Sequence, residues 1–134
     1  MRDFGHYIST NDVRKQSPDK LLAASTLQAA KDRLRLAQAI HRTQDPKFVV
    51  ENCYEAILEA INSILYAKGY ASYSHEASIA YLDLLDLPAS GVDKLRKHRN
   101  GIKYYGEGAM ATEAERALTL AESMITKLES FHPA

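Results

Sequence analysis

The chain has one cysteine in 134 residues. Cys53 has no internal partner, so no disulfide staples the fold, and a lone thiol fits a reducing cytoplasm. No run of about 18 apolar residues occurs, which leaves no candidate membrane-spanning helix. The opening stretch, Met1-Arg2-Asp3-Phe4-Gly5-His6, lacks an apolar core, so no secretory signal is expected. An excess of one charge is also missing. Lys plus Arg number 17 and Asp plus Glu number 17, which argues against a surface that attracts nucleic acid all over. A local basic patch remains open, because phosphate contacts need only a few cations on one face.

Several chemistries lack their residues. There is no glycine-rich phosphate loop of the Walker or Rossmann kind. His6, His41, His75, His98 and His132 never stand four apart, so no helical pair is offered to zinc. Neither metal nor cofactor is expected. Sustained period-two alternation is absent, so no sheet is expected. No repeat of fixed period and no low-complexity tract appears.

What is present is helical periodicity. Composition is ordinary for a globular chain, with 46% hydrophobic and 25% charged residues, and the length suits one domain with one core. Residues 1–17 show little periodicity and read as an arm or a short, loosely attached helix. Residues 18–134 read as the helical domain.

Ser17-Pro18-Asp19 is a helix start, and Leu22, Ala29, Leu36 and Ile40 follow at helical spacing; a helix is expected over about 18–41. Asp45-Pro46 repeats the signal. A second helix carries Val49, Cys53, Ala56, Ile57, Ala60, Ile61, Ile64 and Leu65, and Gly69 stops it. Cys53 lies on this apolar stripe and reads as a core thiol. Ser74 caps a third helix that ends at Leu87-Pro88. A fourth opens at Ser90 or Gly91 and closes at Gly106 and Gly108. Thr112 and Glu115 have the spacing of a capping box for a fifth, which ends at Phe131-His132-Pro133. The expectation is an all-α, up-and-down bundle of four to five helices.

Two carboxylate pairs, Asp83 with Asp86 and Glu113 with Glu115, sit at helix ends and read as structural. The segment Lys94 to Lys103 is different, with five cations and His98 within ten residues. On a helical wheel Arg99 falls inside the stripe of Val92, Leu95 and Ile102, while Lys97 and His98 point elsewhere. A cation in an apolar stripe is costly unless paired or facing a wet groove. Two readings follow: an Arg–carboxylate bridge within the bundle or across a dimer, or a phosphate-binding group.

Arg99-Asn100 followed by Gly101-Ile102-Lys103-Tyr104-Tyr105-Gly106 resembles the signature region of HEPN domains (higher eukaryotes and prokaryotes nucleotide-binding). Glu51-Asn52-Cys53-Tyr54-Glu55-Ala56 is similar to that family's second helix. Gly69-Tyr70 and Tyr73-Ser74-His75-Glu76-Ala77 are similar to its loop into the third. The similarity spans roughly residues 18–130, with a short sharp motif.

The resemblance implies a homodimer with two motif segments around a cleft. It implies RNA or a nucleotide as ligand, or a role beside a nucleotidyltransferase in a toxin–antitoxin pair. In active members of the family, metal-independent RNases, the motif Arg and a following His act at the scissile phosphate. Here Tyr104 stands five positions after Arg99 and Tyr105 six. A phenol with an ordinary pKa of about 10 is a poor base at neutral pH, but it can hydrogen-bond a phosphate or stack on a base. The resemblance therefore implies binding through Arg96, Arg99, Asn100, Lys103, Tyr104 and Tyr105 rather than efficient cleavage. If the chain does cleave RNA, Arg99 acts with Tyr104, or with His75 at the start of the third helix.

Overall fold

A computed structural model describes residues 1–132. Among them the chain forms an all-α helical bundle with one very small sheet. The elements are α1 (Phe4–Ser9), β1 (Val13–Lys15), α2 (Lys20–Ile40), α3 (Pro46–Lys68), β2 (Tyr70–Ser72), α4 (His75–Ala80) running into a 3₁₀ turn (Tyr81–Leu85), α5 (Ser90–Tyr105) and α6 (Ala111–Glu129). Pro133, expected to end the last helix, lies outside the described residues.

Helix α3 is the centre. Asp45 caps it by accepting the Lys47 N–H, Pro46 pre-sets its first turn, and Gly69 ends it in the left-handed region at φ +89°. All eight apolar positions of its expected stripe are buried, and so are Val50, Tyr54 and Leu58. It is wrapped on several sides, by α2, α5 and α6. Each large side chain so buried contributes roughly 1.5–3 kcal/mol. Helix α6 brings Ala117, Leu118, Ala121, Met124, Ile125 and Leu128 to the same core.

Four details differ from the expectation. First, β1 and β2 pair antiparallel, with Val13 opposite Ser72 and Lys15 opposite Tyr70. Three-residue strands are too short to show alternation in sequence. Second, the opening residues are not loosely attached. Phe4, Tyr7 and Val13 are buried, and the Phe4 ring meets Tyr81 edge-on at 4.8 Å and Tyr70 at 5.3 Å.

Third, α2 turns a different face inward. Ala23, Ala30 and Ala37 are buried, whereas Leu22, Ala29 and Leu36 are exposed. Both sets repeat every seven residues, so spacing alone does not say which is inside. Fourth, α6 starts two residues early. Glu113, not Glu115, reaches back to accept the Met110 N–H at 2.8 Å. Met110 has no side-chain oxygen to return the bond, so only half of a capping box exists.

Gly69 also places the site. Its carbonyl accepts the Gln16 N–H at 2.9 Å, which starts the strand pair. The chain then turns through Tyr73 to Ser74, whose hydroxyl accepts the Ala77 N–H at 3.3 Å and starts α4. His75 is thereby delivered beside α3.

Candidate functional site

Arg99 is the only buried charged side chain among the described residues. It sits on the inner face of α5, as the wheel predicts, among Val92, Leu95 and Ile102. Its Nη2 donates to Glu55 Oε1 on α3 at 2.6 Å, and its Nη1 to the Asn100 side-chain oxygen at 3.3 Å. The guanidinium carbon lies 5.5 Å from the centroid of the buried Tyr54 ring. The expected inner bridge is therefore present. It engages two of the five guanidinium donors.

The remaining edge faces a cleft of about 320 Å³ between α2, α3 and α5, lined by Arg33, Glu51, Asn52, Glu55, Arg99 and Lys103. Arg33 pairs with Glu59 and approaches Asn52. Three cations against two carboxylates give this lining one net positive charge. A planar guanidinium with free donors can hold a phosphate bidentately.

The other sequence candidates scatter around this cleft. Lys103 is on its wall, with Nζ 5.6 Å from the Tyr104 ring centroid. Tyr104 and Tyr105 end α5 fully in the open, 63% and 81% exposed, where both rings are free to stack. Arg96 is turned away. It bonds Asp93 at 2.9 Å and pairs with Glu76 at 3.6 Å.

His75 comes nearer the centre than either tyrosine. Its Nδ1 is 3.0 Å from the Tyr54 hydroxyl, whose ring carries Arg99 on its face. Burial lowers the His75 pKa below its ordinary value. Glu55 opposes that shift, while Arg99, Arg96 and Lys103 add to it. The imidazole is thus neutral at pH 7 and able to accept a proton. Burial likewise raises the Tyr54 phenol, helped by Glu55.

Arg33, Glu51, Asn52, Tyr54 and Glu55 were not singled out as site residues by motif. A signal existed: Glu51, Asn52, Glu55 and Glu59 form a polar line on a helix otherwise rich in apolar positions. Nothing in the sequence joined that line to Arg33 on α2. Among the described residues no three His, Cys, Asp or Glu side chains cluster as a metal site, and no helix is long and apolar enough to cross a membrane. No family model, curated protein or solved structure matches the chain.

Proposed function

We propose that this chain is a HEPN-like helical module that binds RNA or a nucleotide through its phosphate, works as a homodimer in the cytoplasm, and is not an efficient RNase. The observation that carries the reading is the placement of Arg99. Its guanidinium is fixed by Glu55 and by the Tyr54 ring, and its free edge faces a polar cleft with Lys103 beside it. A donor held rigid before the ligand arrives loses little entropy on binding. Tyr104 and Tyr105 supply exposed rings at the open end of the same helix. The test is binding of a labelled RNA oligonucleotide and of ATP to the wild type and to Arg99→Ala, with circular dichroism on both. Weaker binding with helical content kept supports the role; unchanged binding with the fold intact rejects it.

One observation favours a second reading, a metal-independent RNase. His75 stands one hydrogen bond from Tyr54 at the Arg99 site. With Nδ1–H donating to Tyr54, the neutral imidazole can take the proton of a ribose 2′-hydroxyl on Nε2 as that oxygen attacks phosphorus, the bond to the 5′-oxygen breaks and the 5′-oxygen takes a proton from water. RNA incubated with the protein and a chelator decides this. Cleavage that persists in both Arg99→Ala and His75→Ala preparations comes from a contaminant. A nucleotidyltransferase as partner is the third possibility, tested by co-purification: a partner that covers Arg99 supports that role.

A further inference from the structure

Two arginines reach one cleft from opposite walls, and each is tied by its own carboxylate of α3. Arg33 comes from α2 and pairs with Glu59, and Arg99 comes from α5 and pairs with Glu55. The two carboxylates stand four residues apart, so their anchor points lie about 6 Å apart along the α3 axis. Both ion pairs are one-pronged. Arg33 reaches Glu59 through Nε alone, and Arg99 reaches Glu55 through Nη2 alone. An arginine kept only for a structural bridge is frequently bonded through two parallel N–H groups. Here each guanidinium uses two of its five N–H groups on protein acceptors, and one of those contacts, Arg33 to Asn52, is long at 3.5 Å. The rest are left for whatever enters the cleft between them.

We infer that Arg33 and Arg99 form a clamp for a terminal phosphate monoester, the phosphorylated end of an RNA strand or a mononucleotide, in preference to an internal phosphodiester. The inference rests on the phosphate reading of this cleft and names which phosphate it takes. The chemistry of the two groups decides. An internal phosphodiester has two free oxygens and one negative charge, and its other two oxygens lead to sugars. One guanidinium fork satisfies it, and a second fork from the far side meets ester oxygens. A terminal monoester has three strong acceptor oxygens and about −1.5 to −2 charge at pH 7. It can be gripped from two directions at once by N–H···O⁻ bonds of about 2.8 Å.

The rest of the lining agrees. Lys103 adds a third cation on the α5 wall. Glu51 also lines the cleft and has no ion pair among the described residues. A free carboxylate repels a bare phosphate ion, but it accepts a hydrogen bond from a sugar hydroxyl. The ribose beside a terminal phosphate carries such hydroxyls, and inorganic phosphate has no sugar. The cleft therefore suits a phosphorylated nucleotide end.

The test is fluorescence anisotropy of a short RNA labelled at its 3′ end, carrying either a 5′-phosphate or a 5′-hydroxyl, against the full chain. The phosphorylated RNA is expected to bind about tenfold tighter, the worth of one hydrogen bond to a charged group. AMP should compete with it, and adenosine and inorganic phosphate at the same concentration should not. AMP binding as tightly as the phosphorylated RNA identifies a mononucleotide as the ligand; AMP binding more weakly identifies the RNA end. Both support the clamp. Competition by inorganic phosphate equal to that of AMP overturns the nucleotide end as ligand. Arg33→Lys keeps a cation for Glu59 and loses the fork. It should keep the helical circular dichroism and the affinity for the hydroxyl RNA, and reduce the preference for the phosphate to about twofold or less. A preference unchanged in Arg33→Lys overturns the clamp. So does a wild type that binds both RNAs equally; if Arg99→Ala then weakens both, the phosphate reading stands without the clamp. An Arg99→Ala chain that is folded and binds like the wild type overturns the clamp and the phosphate reading together.

Discussion

The Arg99 guanidinium donates to the Glu55 carboxylate at 2.6 Å, tying the last turns of α5 to α3 beneath a polar cleft. The two side chains are unequally exposed, 8% for Arg99 and 28% for Glu55. They should therefore respond differently to mutation. Glu55→Ala leaves a buried cation with a weak Asn100 contact and should cost about 1–3 kcal/mol in urea unfolding. Glu55→Gln keeps an acceptor and removes one negative charge beside the cleft. It should cost less and tighten RNA binding by about threefold to tenfold, equivalent to roughly 0.7–1.4 kcal/mol. Equal or weaker RNA binding in Glu55→Gln would show that the phosphate does not sit at this pair.

Phe4 is 4% exposed and meets two tyrosine edges, so the opening residues belong to the core. Truncating a buried aromatic costs about 3 kcal/mol or more. Phe4→Ala should lower the urea midpoint accordingly, and a chain lacking residues 1–16 should lose at least as much. A midpoint within error of wild type would mean that the segment adds nothing to stability.

The long helices were legible because their signals are local. Asp45-Pro46 and Gly69 bound α3, and Ser74 caps α4, through bonds that span only a few residues. The inward position of Arg99 was legible for the same reason, since it depends only on the period of one helix. Its partner was not, because Glu55 is 44 positions away and only packing brings it close. The three-residue strands depend on Gly69 meeting Gln16, which is also a long-range event. On α2 the pattern was ambiguous in itself: two heptad stripes lie side by side, and leucine was the reasonable but incorrect choice for the inner one. Alanine won because short side chains let α2 and α3 approach closely.

Cys53 is fully buried on α3, and burial pushes its thiol up to about 12, with Glu122 adding to the shift. A thiol that stays protonated and covered does not react. Ellman's reagent at pH 8 should leave the native protein unlabelled and should modify one thiol per chain in 6 M guanidinium, a concentration set by the upper range of protein midpoints, about 5 M. Fast labelling of the native protein would mean that α3 opens far more readily than its packing implies.

Acid should destabilise the fold well before the carboxylates titrate. Burial lowers the pKa of both His75 and His132 relative to the free side chain, whose value is about 6.5. The sign follows from proton counts. Just below pH 6.5 the unfolded chain takes up protons that the folded chain refuses, so stability rises with pH across that window. The contribution is complete above about 6.5 and is lost as pH falls toward the lower folded values. Burial is the first cause at both, opposed by the Glu55 carboxylate at His75 and by Glu129 at His132. The Ser63 hydroxyl donates to the Ala60 carbonyl at 2.6 Å, so the His132 Nε2–H must donate to Ser63 at 2.7 Å, and Nδ1 is the atom left to protonate. Melting temperature should therefore fall between pH 7.5 and 5.5 in the wild type, and fall less in His75→Gln with His132→Gln. A double variant with the same pH slope as the wild type would show that other groups carry the acid response.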